Sequence, residues 1–245
     1  MSKIKQTPAN NRIQNNTSKF KKLERHFSDK VIRRLDYEDL IRIQKRNLTI
    51  VFWDIENSSA LSDMLMSADI AYTELVQAWY RTVSEIIFEF DGSLDKFIGD
   101  GTMAIFGIPN KDAEGKQDAI NAVAAALKAR EGFEAVKNEW NEKWIKDFSR
   151  SLNIKLRCGI NTGKVFYGNF GTPRNDQLTA IGSEVHVASR LQSLILDVET
   201  CPNRILISRT TESRIRGRFE VVDRGTANLN KILGNFPIYE VINKN

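Results

Sequence analysis

Two apolar runs in this chain each stop at an acid. Ile50-Val51-Phe52-Trp53 runs into Asp54-Ile55, and Lys96-Phe97-Ile98-Gly99-Asp100-Gly101 runs on into Thr102-Met103-Ala104-Ile105-Phe106. Short apolar runs rich in β-branched and aromatic residues read as strands. The first is too apolar for a sheet with one wet face, which puts it in the middle of a sheet with Asp54 at its end. Gly99-Asp100-Gly101 between two such runs is a tight-turn signal and makes a hairpin. Adjacent strands then bring Asp54 and Asp100 to one sheet end. Two carboxylates held close repel unless a cation lies between them, and a hard divalent ion with oxygen ligands suits that place. Taken singly, neither acid needs such a role: Asp54 ends a strand and Asp100 makes a turn.

The rest of the chain bounds what can surround that pair. At 245 residues, one large domain with an N-terminal appendage is expected, long enough for a substantial core. No apolar run approaches the ~20 residues of a membrane span, and the polar, Asn-rich start carries no signal-peptide core. Cys158 and Cys201 are the only cysteines and lack metal-ligand spacing, which suits a reducing, cytoplasmic location. With two histidines in the chain, a structural zinc site is not expected. The net charge is +5, but residues 1–50 hold 13 Lys and Arg against 5 Asp and Glu, so the remainder is acidic. Such an arm can bind nucleic acid or an anionic membrane. It lacks aromatic interleaving and Gly-rich repeats, so a solvated tail with a helical lead-in is the expectation, and no nucleic-acid partner.

Residues 1–17 read as a disordered polar terminus and 18–46 as a helical lead-in, with Phe20, Leu23, Phe27, Val31 and Leu35 at helical spacing. Asp36 or Asp39 is placed to start a further short helix. The main domain takes 47–245. Helices are expected near 60–65, over 69–90 and over 112–144, the hairpin over 92–106, and a shorter helix after Gly182. Strands are expected at 154–160 and 164–170, joined by a turn at Asn161-Thr162-Gly163, and later at 204–207, 219–223 and 237–241. The order is that of an α+β, ferredoxin-like βαββαβ core with additional strands and helices.

Phe52-Trp53-Asp54-Ile55 with Asp95-Lys96-Phe97-Ile98-Gly99-Asp100-Gly101 resembles the metal-binding core of the class III nucleotidyl cyclases, the adenylyl and guanylyl cyclase family. The resemblance continues through Leu156-Arg157-Cys158-Gly159-Ile160-Asn161-Thr162-Gly163-Lys164-Val165 and Ala180-Ile181-Gly182-Ser183-Glu184-Val185-His186-Val187-Ala188-Ser189-Arg190-Leu191. It implies the class III cyclase homology domain and a reaction in which a nucleoside triphosphate is closed by its own 3′-hydroxyl, releasing pyrophosphate. Two divalent ions, Mg²⁺ or Mn²⁺, are implied on Asp54 and Asp100, with the Ile55 carbonyl as a further ligand. Asn57-Ser58-Ser59 at a helix start fits a triphosphate cradle, and Arg157 is implied to reach phosphate; its alternative is a surface strand residue.

Arg190 matches the family's transition-state arginine, whose planar fork suits equatorial phosphoryl oxygens. One turn earlier, His186 departs from the family's usual Asn, which orients the ribose. A neutral imidazole can still donate one hydrogen bond, or the histidine has no role. Phe52 is implied to touch the base, and Lys96 and Thr179 to read adenine. The stand-alone layout and the altered ribose position also resemble the pyrimidine cyclases of bacterial anti-phage systems, so ATP and UTP or CTP both stay open. Family sites form between two chains, which implies a homodimer with shared active sites. Relatives carry a lead-in like Phe27-Ser28-Asp29-Lys30-Val31-Ile32 after a sensor. None precedes it here, so regulation is expected from partners, small ligands or dimerisation. The rival reading is an inactive nucleotide-binding module on the same fold.

Overall fold

The computed structural model describes residues 23–64, 69–108, 114–148, 154–196, 201–229 and 234–244. Its sheet is built on the first apolar run, which forms the middle of a 13-residue strand, β1 (Gln44–Glu56). Leu48 to Val51 are buried in succession, as a strand covered on both faces requires. On one side of β1 lies the hairpin of β2 (Ser93–Ile98) and β3 (Gly101–Phe106), and on the other β4 (Lys155–Asn169). Next come β6 (Arg204–Ser208), β8 (Asn235–Lys244) and β7 (Phe219–Asn228), while β5 (Leu178–Ile181) pairs with the C-terminal end of β4. All pairings are antiparallel except β4 with β6.

Alternation along β1 divides the core. Val51, Trp53 and Ile55 face two long helices, α4 (Asp69–Glu89) and α5 (Lys116–Phe148), which bring Leu75, Trp79 and Val83 and the small Ala122, Ala126 and Ala129 with Phe133. The alanines let α5 lie close to the sheet, and fully burying each larger side chain stabilises by ~1.5–3 kcal/mol. Leu48 and Ile50 face the other way, onto Leu23, Phe27, Val31 and Leu40 of the lead-in. The second face is therefore covered as well, by α1 (Asp29–Ile32), α2 (Tyr37–Ile41) and, over β4, α6 (Ser183–Ser193).

The expected α+β architecture holds, with three local differences. Among the described residues the lead-in breaks at Ser28 as well as at the expected Asp36, because both side chains cap fresh N-termini: Val31 N–H donates to Ser28 Oγ at 3.4 Å and Glu38 N–H to Asp36 Oδ1 at 3.0 Å. Residues 1–17 and the start of the lead-in lie outside the described residues. Second, the turn expected at Asn161-Thr162-Gly163 does not form, and β4 is one 15-residue strand paired with the whole of β1. These residues serve packing. Asn161 Nδ2 donates to the Glu184 carbonyl at 2.9 Å, Thr162 Oγ1 meets Thr49 Oγ1 at 2.9 Å, and the Glu184 side chain fills the space where a Gly163 Cβ would stand. Third, β5 and α7 (Arg209–Ile215) are additions that the sequence did not reveal. Helix α3 (Ser58–Met64) follows β1 directly. Among the described residues, no helix is long and apolar enough to cross a membrane.

Candidate active site

The antiparallel register sets Trp53 beside Thr102, so the end of β1 abuts the β2–β3 turn. Gly99, at φ +61°, supplies the left-handed residue of that turn. Ile55 N–H donates to Asp100 Oδ2 at 3.1 Å, and a Cβ on Gly101 would stand 3.2 Å from Asp54 Oδ1. The two acids thus share one corner. Burial pushes the Asp54 carboxyl up to about 6, Asp100's charge adds to this, and Gln192 and Arg157 pull it back. Gln192 Nε2 donates to Asp54 Oδ2 at 3.0 Å. Its helix reaches the corner because Gly159 has no side chain: a Cβ there would run into the Ala188 carbonyl and the Gln192 backbone nitrogen.

Helix α4 braces the turn. The Tyr80 hydroxyl donates to the Gly99 carbonyl, and its ring stacks on Phe97 at a centroid distance of 3.8 Å. Burial and then Asp100's charge hold the Tyr72 and Tyr80 hydroxyls above their ordinary range. Hard carboxylate oxygens that repel each other in a half-buried corner fit a divalent cation. Among the described residues no group of three or more His, Cys, Asp or Glu side chains is placed to hold a metal, so Asp54 and Asp100 are the acids this corner has to offer a cation.

The other expected site residues divide into groups. Arg157, opposite Asp54 in the ladder, is ion-paired with Glu56. Asn57, at φ +66°, and Ser59 are exposed at the start of α3, while Ser58 is buried and shares a hydrogen bond with Tyr72. Phe52 is half-buried, and Ile55 is buried. Lys96 and Thr179 meet at Asp95: Lys96 Nζ lies 3.2 Å from Asp95 Oδ2, and Thr179 Oγ1 donates to the same oxygen at 3.1 Å. Burial raises the Asp95 carboxyl, against the pull of Lys96 and Thr179. His186 and Arg190 stand exposed one turn apart on α6. Since Gln192 points at Asp54, Arg190, two residues and some 200° around the helix, points away from it.

The structure therefore joins Asp54 with Asp100, and Lys96 with Thr179, and leaves His186 and Arg190 facing outward. Sequence reasoning missed Gln192, Tyr72, Tyr80, Glu56 and Asp95. For Asp95 a signal was present, an acid adjacent to Lys96 within the motif.

Residues 42–241 match the family described as the adenylate and guanylate cyclase catalytic domain. The chain is 32% identical over 170 residues to the terminal-differentiation-specific adenylate cyclase of Dictyostelium discoideum, a match covering 69% of this chain and 7% of that protein. It is 26% identical over 198 residues to adenylate cyclase 1 of Rhizobium meliloti (strain 1021), covering 81% and 28% respectively. The chain thus spans a minor part of the length of these relatives. Among solved structures, the adenylyl cyclase CyaB from P. aeruginosa matches with a TM-score of 0.74 at 31% identity, over 84% of this chain and 98% of that one. The guanylyl cyclase Cya2 shares the fold at a TM-score of 0.71 and 23% identity, over 83% and 95%. The chain belongs to the adenylate and guanylate cyclase catalytic domain family, the class III nucleotidyl cyclases.

Proposed function

We propose that the protein converts a nucleoside triphosphate to its 3′,5′-cyclic monophosphate and pyrophosphate. The observation that carries this is the corner where Asp54 and Asp100 converge, with Asp54 pushed up to about 6 by burial and by its neighbour's charge. A pair of acids so placed is a cost to the fold unless a cation is bound between them. Asp54, Asp100 and the Ile55 carbonyl are the residues that would hold Mg²⁺ or Mn²⁺. Divalent ions there supply a lowered pKa for the attacking hydroxyl and charge neutralisation for the leaving pyrophosphate.

The remaining work falls to side chains. Arg190 spreads its guanidinium over the equatorial oxygens of the α-phosphorus as charge builds there. His186, one turn away, donates to the ribose and aligns the 3′-hydroxyl. Arg157 exchanges Glu56 for a phosphate oxygen, and Asn57, Ser58 and Ser59 line the triphosphate beside α3. Phe52 borders the base, and Lys96 and Thr179 read its edge. Because Arg190 points away from the Asp54 of its own chain, the reading requires a homodimer in which one protomer's acids face its partner's α6. Exposed Phe166 and Ile181 on paired β4 and β5, with Ile43 nearby in the chain order of β1, are apolar surface suited to such a contact. A cytoplasmic location suits the two free cysteines.

ATP and a pyrimidine triphosphate both remain substrates under this reading, the second implying a cyclic UMP or CMP signal in anti-phage defence. Mass spectrometry of the products from an equimolar mixture of ATP, GTP, CTP and UTP with Mn²⁺ tests it. One cyclic monophosphate with stoichiometric pyrophosphate is expected. Nucleotide binding without any cyclic product from a folded, metal-loaded dimer would leave only an inactive binding module.

A further inference from the structure

Asp95 is the residue of β2 that the ladder leaves out. Ser93 and Leu94 pair with Ile105 and Ala104, the register then shifts, and Lys96 resumes with Met103. A bulge of this kind re-aims a side chain, and here it buries an acid. The Asp95 side chain is 0% exposed, and beside it the Lys96 side chain is 36% exposed. Thr179, 4% exposed, comes from β5 to the same Asp95 oxygen that Lys96 approaches. The second oxygen, Oδ1, is buried without a hydrogen-bond partner among the described residues, as is the nearby Tyr167 hydroxyl, which burial and then Asp95's charge hold above its ordinary range. A buried acid with half its acceptors unused costs stability, and neither the metal corner nor the phosphate groups use it.

Its effect on its neighbours is chemical. An ionised carboxylate only accepts, so the Thr179 hydroxyl must spend its proton on Asp95. What Thr179 has left to offer is lone pairs. Lys96, whose ammonium lies 3.2 Å from the same oxygen, has further N–H groups and can only donate. Together they present one acceptor, deep, and one donor, nearer the surface. On a nucleobase the exocyclic group lies farthest from the sugar and enters deepest, so it meets Thr179 and the ring nitrogen beside it meets Lys96. An exocyclic amine next to an unprotonated ring nitrogen satisfies both; an exocyclic carbonyl next to a ring N–H opposes acceptor to acceptor and donor to donor.

We propose that Asp95 is a positioning residue that fixes the hydrogen-bond polarity of Lys96 and Thr179, so that the site takes a nucleotide with an amino base, adenine or cytosine, and rejects uracil and guanine. This rests on the reading above that Lys96 and Thr179 face the base, and within that reading it leaves ATP and CTP as substrates.

The test is kcat/KM for ATP, CTP, GTP and UTP with wild type, Asp95→Asn, Asp95→Ala, Thr179→Ser, Thr179→Val and Lys96→Ala, each checked for folding by thermal melting. Wild type is expected to favour ATP or CTP over both GTP and UTP by about tenfold or more, the cost of leaving buried polar groups opposed. Asp95→Ala, which removes the acceptor altogether, frees the Thr179 proton, whereas Asp95→Asn keeps one acceptor oxygen that Lys96 and Thr179 can share. The preference of Asp95→Ala should shrink to within about threefold, mainly through a raised KM for the amino-base nucleotide. Thr179→Ser keeps the hydroxyl and should keep the preference. A purely structural Asp95 would instead lower all four substrates together and leave their ratios intact, which overturns the proposal. Wild type favouring UTP or GTP overturns it whatever the variants do. If Lys96→Ala and Thr179→Val leave base preference untouched, the assignment of the base readers itself has failed; if they change it and Asp95→Ala does not, only the role of Asp95 has.

Discussion

Gln192 and Arg190 lie two residues apart on α6 and meet opposite surroundings. Gln192 is buried, with its amide on Asp54, in a corner that the chain closes with its own β1, β2–β3 turn and α4. Arg190, with His186 one turn before it, stands on the outer side of the helix, and neither makes a side-chain hydrogen bond or ion pair to another described residue. One region is finished within the chain and the other is not. A long, entropy-rich arginine left bare is ordinary on a surface, but here the bare face belongs to a helix whose inner face steadies a candidate metal ligand. That contrast is why two chains are invoked for one site, and it can be broken experimentally at either end.

The largest effect should come from splitting the two regions between chains. Asp54→Ala and Arg190→Ala should each lower turnover by about 10³-fold or more, the scale of removing a metal ligand or a transition-state arginine. Mixed together, the two inactive proteins should recover activity, since one of the two sites in a mixed dimer then holds an intact Asp54 and an intact Arg190. Absence of rescue in dimers verified to be mixed would place both groups in one chain's site and remove the contrast.

Next in size is His186→Ala, expected to lose ~10²-fold in kcat with nucleotide affinity little changed, because a small misplacement of the reacting hydroxyl is costly. His186→Asn restores an amide donor and should recover a good part of the loss. Wild-type turnover in His186→Ala on all four nucleotides would reduce this histidine to an ordinary surface residue.

How far such groups can be read from sequence depends on how local their signals are. The acids of β1 and the β2–β3 turn were legible because an apolar run, a Gly-rich turn and a carboxylate lie within a few residues of each other. The stripes of α4 and α5 were legible because helical spacing is local too. Asn161-Thr162-Gly163 misled for the opposite reason. Turn-forming composition here answers to Glu184 and Thr49, contacts that only the fold brings near. The supports of the site were hidden in the same way: Gln192 meets Asp54 across 138 residues, and Thr179 meets Asp95 across 84. The outward face of α6 could be placed only after Gln192 had been seen to point inward.

A smaller effect is expected from Gln192→Leu, which removes the neutral donor from Asp54 and leaves Arg190 in place. Partners that orient a metal ligand typically contribute 10–100-fold in metal affinity, so the Mn²⁺ concentration giving half-maximal rate should rise by about tenfold. In mixtures, Gln192→Leu should complement Arg190→Ala well and Asp54→Ala poorly, because its defect lies on the acid side. Equal complementation of both would mean that α6 does not keep its two faces separate.

The smallest effect tests the finished region without catalysis. In EDTA, the native Asp54 carboxyl sits at about 6 against an ordinary 3.8. A raised carboxyl binds its proton more tightly when folded, so its contribution favours the native state below pH 4 and is lost as pH rises through 6. The full shift corresponds to at most ~3 kcal/mol, and partial exposure reduces this to ~1–2 kcal/mol. Asp54→Asn removes the charge and keeps the shape. It should therefore match wild type below pH 4 and exceed it above pH 7 by a few degrees in Tm, while turning over nothing. Adding Mn²⁺ should reverse the order, because the ion stabilises the wild-type corner and has one carboxylate fewer to bind in the variant. Arg190→Ala, on the unfinished face, should show neither the pH-dependent gap nor the reversal. If Asp54→Asn melts below wild type throughout pH 5–8 in EDTA, the two acids are not in conflict in the empty corner, and the strain that marks it as a cation site is absent.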